Sequence, residues 1–245
     1  MQYSFLASYL LIVFALWYSR REHFGLEKTI LTNSILAMVQ LGILGYALVY
    51  LFRIEHPPLL FFILVGMVLF GAWTAKKRIP LGEQSFKIAF FSIGASSAIV
   101  FASMMAFGVI HMVPHEMIPI GGMIIGNALN VYSQSTERFR GEVKNTMATI
   151  EGMVALGAPL KEALSFASKA AVKASMIPTL NSLQTVGIIH IPGITTGMLL
   201  AGADPLMAVS YQLAVMYMMV AVALLSALFG ILFSYRVIIG AAFKK

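Results

Sequence analysis

Seven intervals of this 245-residue chain contain no Asp, Glu, Lys or Arg over 19 to 31 consecutive positions. A helix rises 1.5 Å per residue, so the hydrocarbon core of a bilayer, about 30 Å thick, requires about 20 apolar residues. Each interval is long enough to cross, and the longer ones can cross at a tilt. The pattern predicts an all-α, polytopic membrane protein with seven transmembrane helices. The intervals are residues 1–19, 29–52, 56–75, 88–115, 117–136, 174–203 and 205–235.

The distribution of Lys and Arg predicts on which side of the membrane each loop lies, because cytoplasmic loops retain positive charge. If the N-terminus is outside, seven crossings place 16 of the 17 Lys and Arg residues on one side, and only Arg53 on the other. The sequence therefore predicts an N-out, C-in protein of the inner (plasma) membrane. This bias also accounts for the net charge of +7 without a nucleic-acid partner.

The composition excludes several classes of protein. With 59% hydrophobic and 11% charged residues, the chain lacks the polar surface of a soluble domain and should contact lipid. Cysteine is absent, which excludes disulfides and thiolate metal sites. The chain also lacks the GxxxxGK[ST] and GxGxxG motifs of nucleotide binding and the HExxH and GxSxG motifs of hydrolases. We expect a single transmembrane domain, residues 1–245, that is not an enzyme and carries no cofactor.

A charged segment, residues 137–173, lies on the predicted cytoplasmic side. Its apolar residues Phe139, Val143, Met147, Ile150 and Val154 recur every three or four positions, which predicts an amphipathic helix ending at Gly157. Pro159 suits the first turn of a second helix. We therefore predict a helix-turn-helix between transmembrane helices 5 and 6. One face of its second helix should consist mainly of small residues. The residues expected on that face are Leu160, Ala163, Leu164, Ala167, Ala170, Ala171 and Ala174.

The fifth and sixth intervals contain many Gly, Pro, Asn and Thr residues. Gly122 and Gly126 have the small-xxx-small spacing that permits close helix packing. Pro178 and Pro192 each remove a backbone hydrogen bond, so the sixth interval should be a broken helix facing the protein interior. Polar side chains at this depth either bond to neighbouring helices or line a polar pathway. The predicted pathway residues are Asn127, Asn130, Gln184, Thr185 and His190.

A possible metal site lies near the predicted outer side, where His111, His115 and Glu116 fall within six residues. Imidazole and carboxylate groups suit iron and other divalent ions. Pro114, however, breaks the helix that would align the two histidines. The alternative is a pair of exposed loop histidines without metal.

Two runs of sequence resemble a known family. They are IPIGGMIIGNALN at residues 118–130 and IPTLNSLQTVGIIHIPGITTGMLLAGADP at residues 177–205. Both are similar to the membrane subunit of the FetB-like family, bacterial permeases implicated in iron export and plant permeases linked to aluminium tolerance. The resemblance implies a homodimeric ABC transporter permease that works with a soluble ABC ATPase, which binds the ATP.

A shorter pattern, Glu151-x5-Gly157-Ala158-Pro159, resembles the EAA-type loop through which ABC permeases dock on their ATPase, although Gly152 and Met153 replace its alanines. A short helix at a tight corner is rigid enough to transmit movement. The alternative is an interfacial helix lying on lipid. The predicted coupling residues are Glu151, Met153, Leu156, Gly157, Ala158, Pro159 and Leu160.

The sequence thus favours the permease subunit of an ABC exporter linked to the homeostasis of iron or another metal ion. A stand-alone secondary transporter or channel, with its substrate at the broken sixth helix, is the second interpretation. An intramembrane enzyme is the third.

Overall fold

The structure is a computed structural model that describes residues 4–53 and 56–242; predictions for residues 1–3, 54–55 and 243–245 lie outside this part. The described residues form ten α-helices without a strand, so the all-α prediction is confirmed. The helices are α1 (Ser4–Arg21), α2 (Glu27–Leu51), α3 (Pro57–Arg78), α4 (Ser85–Ala106), α5 (Pro114–Asn145), α6 (Met147–Ala155), α7 (Leu160–Ala163), α8 (Ser165–Thr185), α9 (Gly193–Leu200) and α10 (Pro205–Ala242).

Four of the described helical segments are long and apolar enough to cross a membrane. The chain is therefore a polytopic membrane protein. Helices α5 and α8 are more polar than these four segments, because they carry Asn, Gln, Ser and charged residues. Seven crossings and the N-out orientation stay predictions. The four segments are Glu27–Leu51, Pro58–Arg78, Gly82–Ala106 and Pro205–Ala241.

The chain divides into two compact units, Met1–Ile54 and Glu55–Lys245. In the first unit, α1 and α2 form a hairpin in which the Ser19 hydroxyl donates to Glu27 Oε1 at 2.8 Å. No residue of α2 is buried. A helix that is apolar on all sides and uncovered is typical of a lipid-facing span.

In the second unit α5 is central, packing against α3, α4, α8 and α10. Helix α10 also contacts α4, α8 and α9. One buried apolar cluster joins Val131 of α5, Met176 of α8, and Ala223 and Ala227 of α10. The small alanines allow α10 to lie close to the other two helices, so this cluster fixes the α5–α8–α10 arrangement.

Two glycines permit the closest helix contacts of α5. A Cβ added to Gly121 would collide with the Leu64 side chain of α3. On α10, a Cβ added to Gly230 would lie 3.0 Å from Tyr132 and 3.2 Å from Thr136. At both positions a larger residue would therefore require the neighbouring side chains to shift.

Gly122 and Gly126, the predicted packing pair, do not both contact a neighbouring helix. A Cβ on Gly122 would lie 3.1 Å from Met67 of α3, whereas Gly126 faces open space. The two residues, four positions apart, are not both used because α3 packs on the side of α5 that carries Gly121, Gly122 and Ile125.

The predicted helix-turn-helix differs from its prediction in where its helices divide. Helix α5 continues unbroken to Asn145, and the predicted amphipathic helix is then interrupted at Thr146. Phe139, Val143 and Ile150 are nevertheless fully buried, as their spacing predicts. Met147 is half-buried and Val154 is exposed. The apolar stripe is therefore correct as far as Ile150, and it is shared between α5 and α6.

The second predicted helix is also divided, since α7 has four residues and α8 starts after Leu164. Ala163, Leu164, Ala167 and Ala171 are buried as predicted, whereas Ala170 is exposed. Helix α8 then runs from this segment into the sixth apolar interval without a boundary. The charged segment and the sixth apolar interval are thus joined by one continuous helix.

The sixth interval is broken, as predicted, but not at Pro178. Both Pro178 and Pro119 lie inside helices that continue past them. The break spans residues 186–192, between α8 and α9. Its Ile188 side chain is 89% exposed, so the prediction that this segment faces the interior is wrong for the single chain, whose other described helices leave it uncovered.

Candidate functional site

A polar face runs along the uncovered sides of α5 and α8. Asn130 and Gln134 are one turn apart on α5, and Asn181 and Gln184 are one turn apart on α8; all four are exposed. Within the described residues, none of their carboxamides has a hydrogen-bond partner. We call these four residues the carboxamide face. It includes Asn130 and Gln184 of the predicted pathway.

A cavity of about 780 Å³ lies between the halves of α5 and α8 that adjoin the charged segment, residues 137–173. Gln134 and Ile177 both line it, which places the exposed sides of the two helices next to each other. Asn130 and Asn181 lie one turn further along α5 and α8, so the carboxamide face extends from this cavity. Three arginines and two glutamates also line the cavity: Arg78, Arg138, Arg140, Glu137 and Glu142.

Asn127 lies on a different side of α5. Its Nδ2 donates to the backbone oxygen of Met219 at 2.8 Å, and the Ser226 hydroxyl donates to the oxygen of Ala128 at 2.7 Å. These bonds join α5 to α10. Of the two interpretations of Asn127, they favour helix packing over a pathway.

Thr185 and His190 meet at the break after α8. The Thr185 hydroxyl donates to the Asn181 backbone oxygen at 2.9 Å and lies 3.5 Å from His190 Nδ1. The Gly187 N–H donates to the His190 oxygen at 3.0 Å, which closes the loop into a tight turn. These two predicted pathway residues therefore stand at the far end of the carboxamide face.

Three site residues, Gln134, Asn181 and Gln212, were missed at the sequence level. Gln134 follows Asn130 by four positions, so both lie on one side of α5. Asn181 precedes Gln184 by three positions, which places both on neighbouring parts of one helix surface. Gln212 is buried in α10, where its Oε1 lies 3.5 Å from the Thr195 hydroxyl of α9. It is the one carboxamide of the seventh interval, and that isolation among apolar residues is the signal that could have indicated it.

The metal-site residues are only partly brought together. The backbone N–H of His111 donates to Glu116 Oε2 at 2.7 Å, and its Nδ1 lies 3.2 Å from the same oxygen. His115 is exposed on the first turn of α5, which begins at Pro114. Within residues 4–53 and 56–242, no three His, Cys, Asp or Glu side chains converge as metal ligands.

The predicted coupling residues form a compact corner after α6. The Ala158 N–H donates to the Met153 oxygen at 3.0 Å and the Gly157 N–H to the Val154 oxygen at 2.9 Å, which is the Schellman arrangement of a helix end. Gly157 has φ of +92°, which favours glycine.

Leu156 is the most accessible apolar side chain of this corner, at 91% exposed. Glu151 and Pro159 are also exposed, whereas Met153, Ala158 and Leu160 are half-buried. On the inner side, Ile150 is fully buried. The corner is therefore anchored on one side and presents a leucine on the other.

Residues 2–239 match the model of a family described as "Uncharacterised protein family (UPF0014)". The chain is 33% identical over 227 residues to the "Probable iron export permease protein FetB" of Escherichia coli (strain K12), covering 93% of this chain and 88% of that protein. It is 32% identical over 225 residues to "Protein ALUMINUM SENSITIVE 3" of Arabidopsis thaliana, covering 91% and 81%. No solved structure matches the chain. The predicted family resemblance is confirmed.

Proposed function

Because the chain belongs to the UPF0014 family, we propose that this membrane permease is the transmembrane subunit of an ABC transporter that exports iron or another metal ion. A relative carries the name "Probable iron export permease protein FetB", which supports both the direction and the cargo. Two copies pair in the inner (plasma) membrane with two soluble ATPase subunits. ATP binds to those subunits, since this sequence has no phosphate-binding loop.

The exposed Leu156 on its fixed corner carries the proposal. Leaving a leucine in water instead of burying it costs about 1.5–3 kcal/mol. A leucine held outward by a Schellman turn is therefore suited to fill a pocket on a partner, as interface anchors do. Glu151 and Lys161, both exposed, can form the polar rim.

Helix α6 can couple the corner to the membrane part. Its Ile150 is buried, and α6 contacts both α5 and α7. Movement of an ATPase against Leu156 would therefore shift α5, whose further residues include Asn130 on the carboxamide face. Closely packed side chains transmit such displacements because interiors resist compression.

The experiment replaces the anchor and the turn separately. Leu156→Asp would put an unpaired charge in an apolar contact, and Gly157→Leu would strain the turn at positive φ. Each should weaken co-purification of the ATPase by about 2 kcal/mol, or thirtyfold in affinity. The measurement is the amount of ATPase retained by the tagged permease and the rate of ATP hydrolysis of the complex.

Leu200→Asp is the matched control. Leu200 is 85% exposed at the end of α9, on the predicted outer side, so this variant should retain the ATPase. If Leu156→Asp and Gly157→Leu both bind the ATPase and support transport as the unsubstituted protein does, the corner does not couple and the proposal fails.

The break between α8 and α9 favours a second function, a stand-alone secondary transporter. Transporters of that class bind substrate at unwound helix segments inside the membrane. Proteoliposomes that contain the permease alone, loaded with Fe²⁺, distinguish the two functions. Efflux without ATPase and ATP would support the second, whereas efflux that requires both supports the ABC permease.

A further inference from the structure

We infer that a second copy of this chain packs against the carboxamide face of α5 and α8, so that the two faces together enclose the translocation path. The inference rests on the two-copy permease proposed above and assigns the surface where the copies meet. Four observations carry it: the depth of the face, its unpaired polar groups, its lack of charge and the open space at Gly126.

The depth follows from helix geometry. Lys173 is the last charged residue of α8, and Gln184 lies eleven residues further. At 1.5 Å per residue this distance is about 16 Å, half of a hydrocarbon core of about 30 Å. Asn181 and Gln184 therefore lie near the centre of the membrane if α8 spans it as predicted.

Lipid is a poor occupant of this face. A carboxamide without a hydrogen-bond partner is costly in hydrocarbon, and the described chain offers none to Asn181 or Gln184. The irregular backbone of residues 186–192 lies just beyond them. Such backbone is found at membrane depth only against protein or water. The face must therefore be covered by protein, by water, or by both.

The chemistry of the face suits a copy of itself. Every carboxamide both donates and accepts hydrogen bonds, so one surface of this type can pair with an identical one. Residues 174–203 contain no charged group, so a two-fold arrangement brings no like charges together here. Two-fold dimers are the commonest oligomers and use the same patch on each subunit.

The space at Gly126 supports the same assignment. Gly126 lies one turn before Asn130 on α5, and a Cβ there would meet nothing within 4 Å. Free space beside a glycine lets another helix approach closely. The other uncovered sides differ: Phe62 of α3, 73% exposed, and Leu232 of α10 suit lipid.

The absence of cysteine permits a direct test. Single cysteines at Asn181, and in a second variant at Gln184, are spin-labelled and reconstituted with the ATPase in lipid nanodiscs. Neither side chain has a partner in the described chain, so folding should be retained. Pulsed dipolar spectroscopy should show label pairs separated by about 24 Å or less, two helix diameters.

Phe62→Cys is the control, because it places the label on an exposed apolar side of α3. Its pairs should be farther apart than those at Asn181. A dimer in which the Phe62 labels are the closer pair would overturn the assigned surface and leave the ABC permease proposal intact. A monomer that still couples ATP hydrolysis to export would overturn the inference and the two-copy assembly, whereas a monomer that exports without ATPase would overturn the proposed function as well.

Discussion

Helices α8 and α10 both leave one side uncovered, yet the two sides differ in chemistry. The exposed residues of α10 include Leu206, Val209 and Leu232, which hydrocarbon can solvate. The exposed residues of α8 include Ile177 and Leu180 but also Asn181 and Gln184, whose carboxamides hydrocarbon cannot satisfy. Exposure in a single membrane subunit therefore has two meanings: contact with lipid where the residues are apolar, and contact with protein or water where they are polar.

The prediction with the largest expected effect tests, by cysteine labelling, whether α8 and α9 cross the membrane at all. Single cysteines at Asn145 and Ala203, in this cysteine-free chain, should react with an impermeant maleimide from opposite sides. Asn145 should react only from the cytoplasm, because the positive-inside rule places its segment there. The measurement is labelling of intact cells against permeabilised ones.

Labelling of both cysteines from one side would remove the crossing between them. The carboxamide face would then lie outside the membrane, and the contrast between α8 and α10 would lose its basis. Labelling of Asn145 from outside would reverse the predicted orientation instead.

A substitution on the covered side of α10 should have an intermediate effect on the stability of the protein. Gly230→Leu would force side-chain atoms into Tyr132 and Thr136 and separate α10 from α5. Overpacking of this kind typically costs about 1–3 kcal/mol. Gly240→Leu, on the same helix with open space around its Cβ, should leave stability unchanged. Unfolding in a mixed detergent series measures both, and equal stability of the two variants would refute the close contact.

The prediction with the smallest expected effect compares the stability of variants at two asparagines, three positions apart on α5. Asn127→Leu removes the hydrogen bond to Met219, and interhelical bonds of this kind contribute about 1 kcal/mol. Asn130→Leu removes no bond within the described chain, so it should leave the stability of a monomer unchanged and impair export. Thermal unfolding in detergent and transport in proteoliposomes distinguish them. Loss of stability in Asn130→Leu equal to that in Asn127→Leu would refute the contrast.

Features that depend on nearby residues could be predicted from the sequence. The stop at Gly157 follows from a backbone with positive φ, and burial of Phe139, Val143 and Ile150 follows from helical periodicity. The seven apolar intervals indicated a polytopic membrane protein because lipid imposes a minimum helix length.

Features that depend on distant partners could not. The Asn127 bond joins residues 92 positions apart, and the close contact at Gly230 appears only when α5 lies beside it. Of the two prolines that predicted a break in the sixth interval, only Pro192 lies at one. A helix tolerates one missing hydrogen bond at Pro178 when neighbouring helices support it, so proline alone does not locate a break.

The unbroken length of α5 has a mechanical consequence. Its 32 residues form a strut about 48 Å long, which exceeds the thickness of the hydrocarbon core. One end lies beside the His111–Glu116 contact and the other adjoins α6. A tilt of about 10° about one end would displace the other by about 8 Å, since a helix bends little over this length. If α5 crosses the membrane as predicted, one continuous helix joins its two sides, and Pro119 near one end is the position where it can bend.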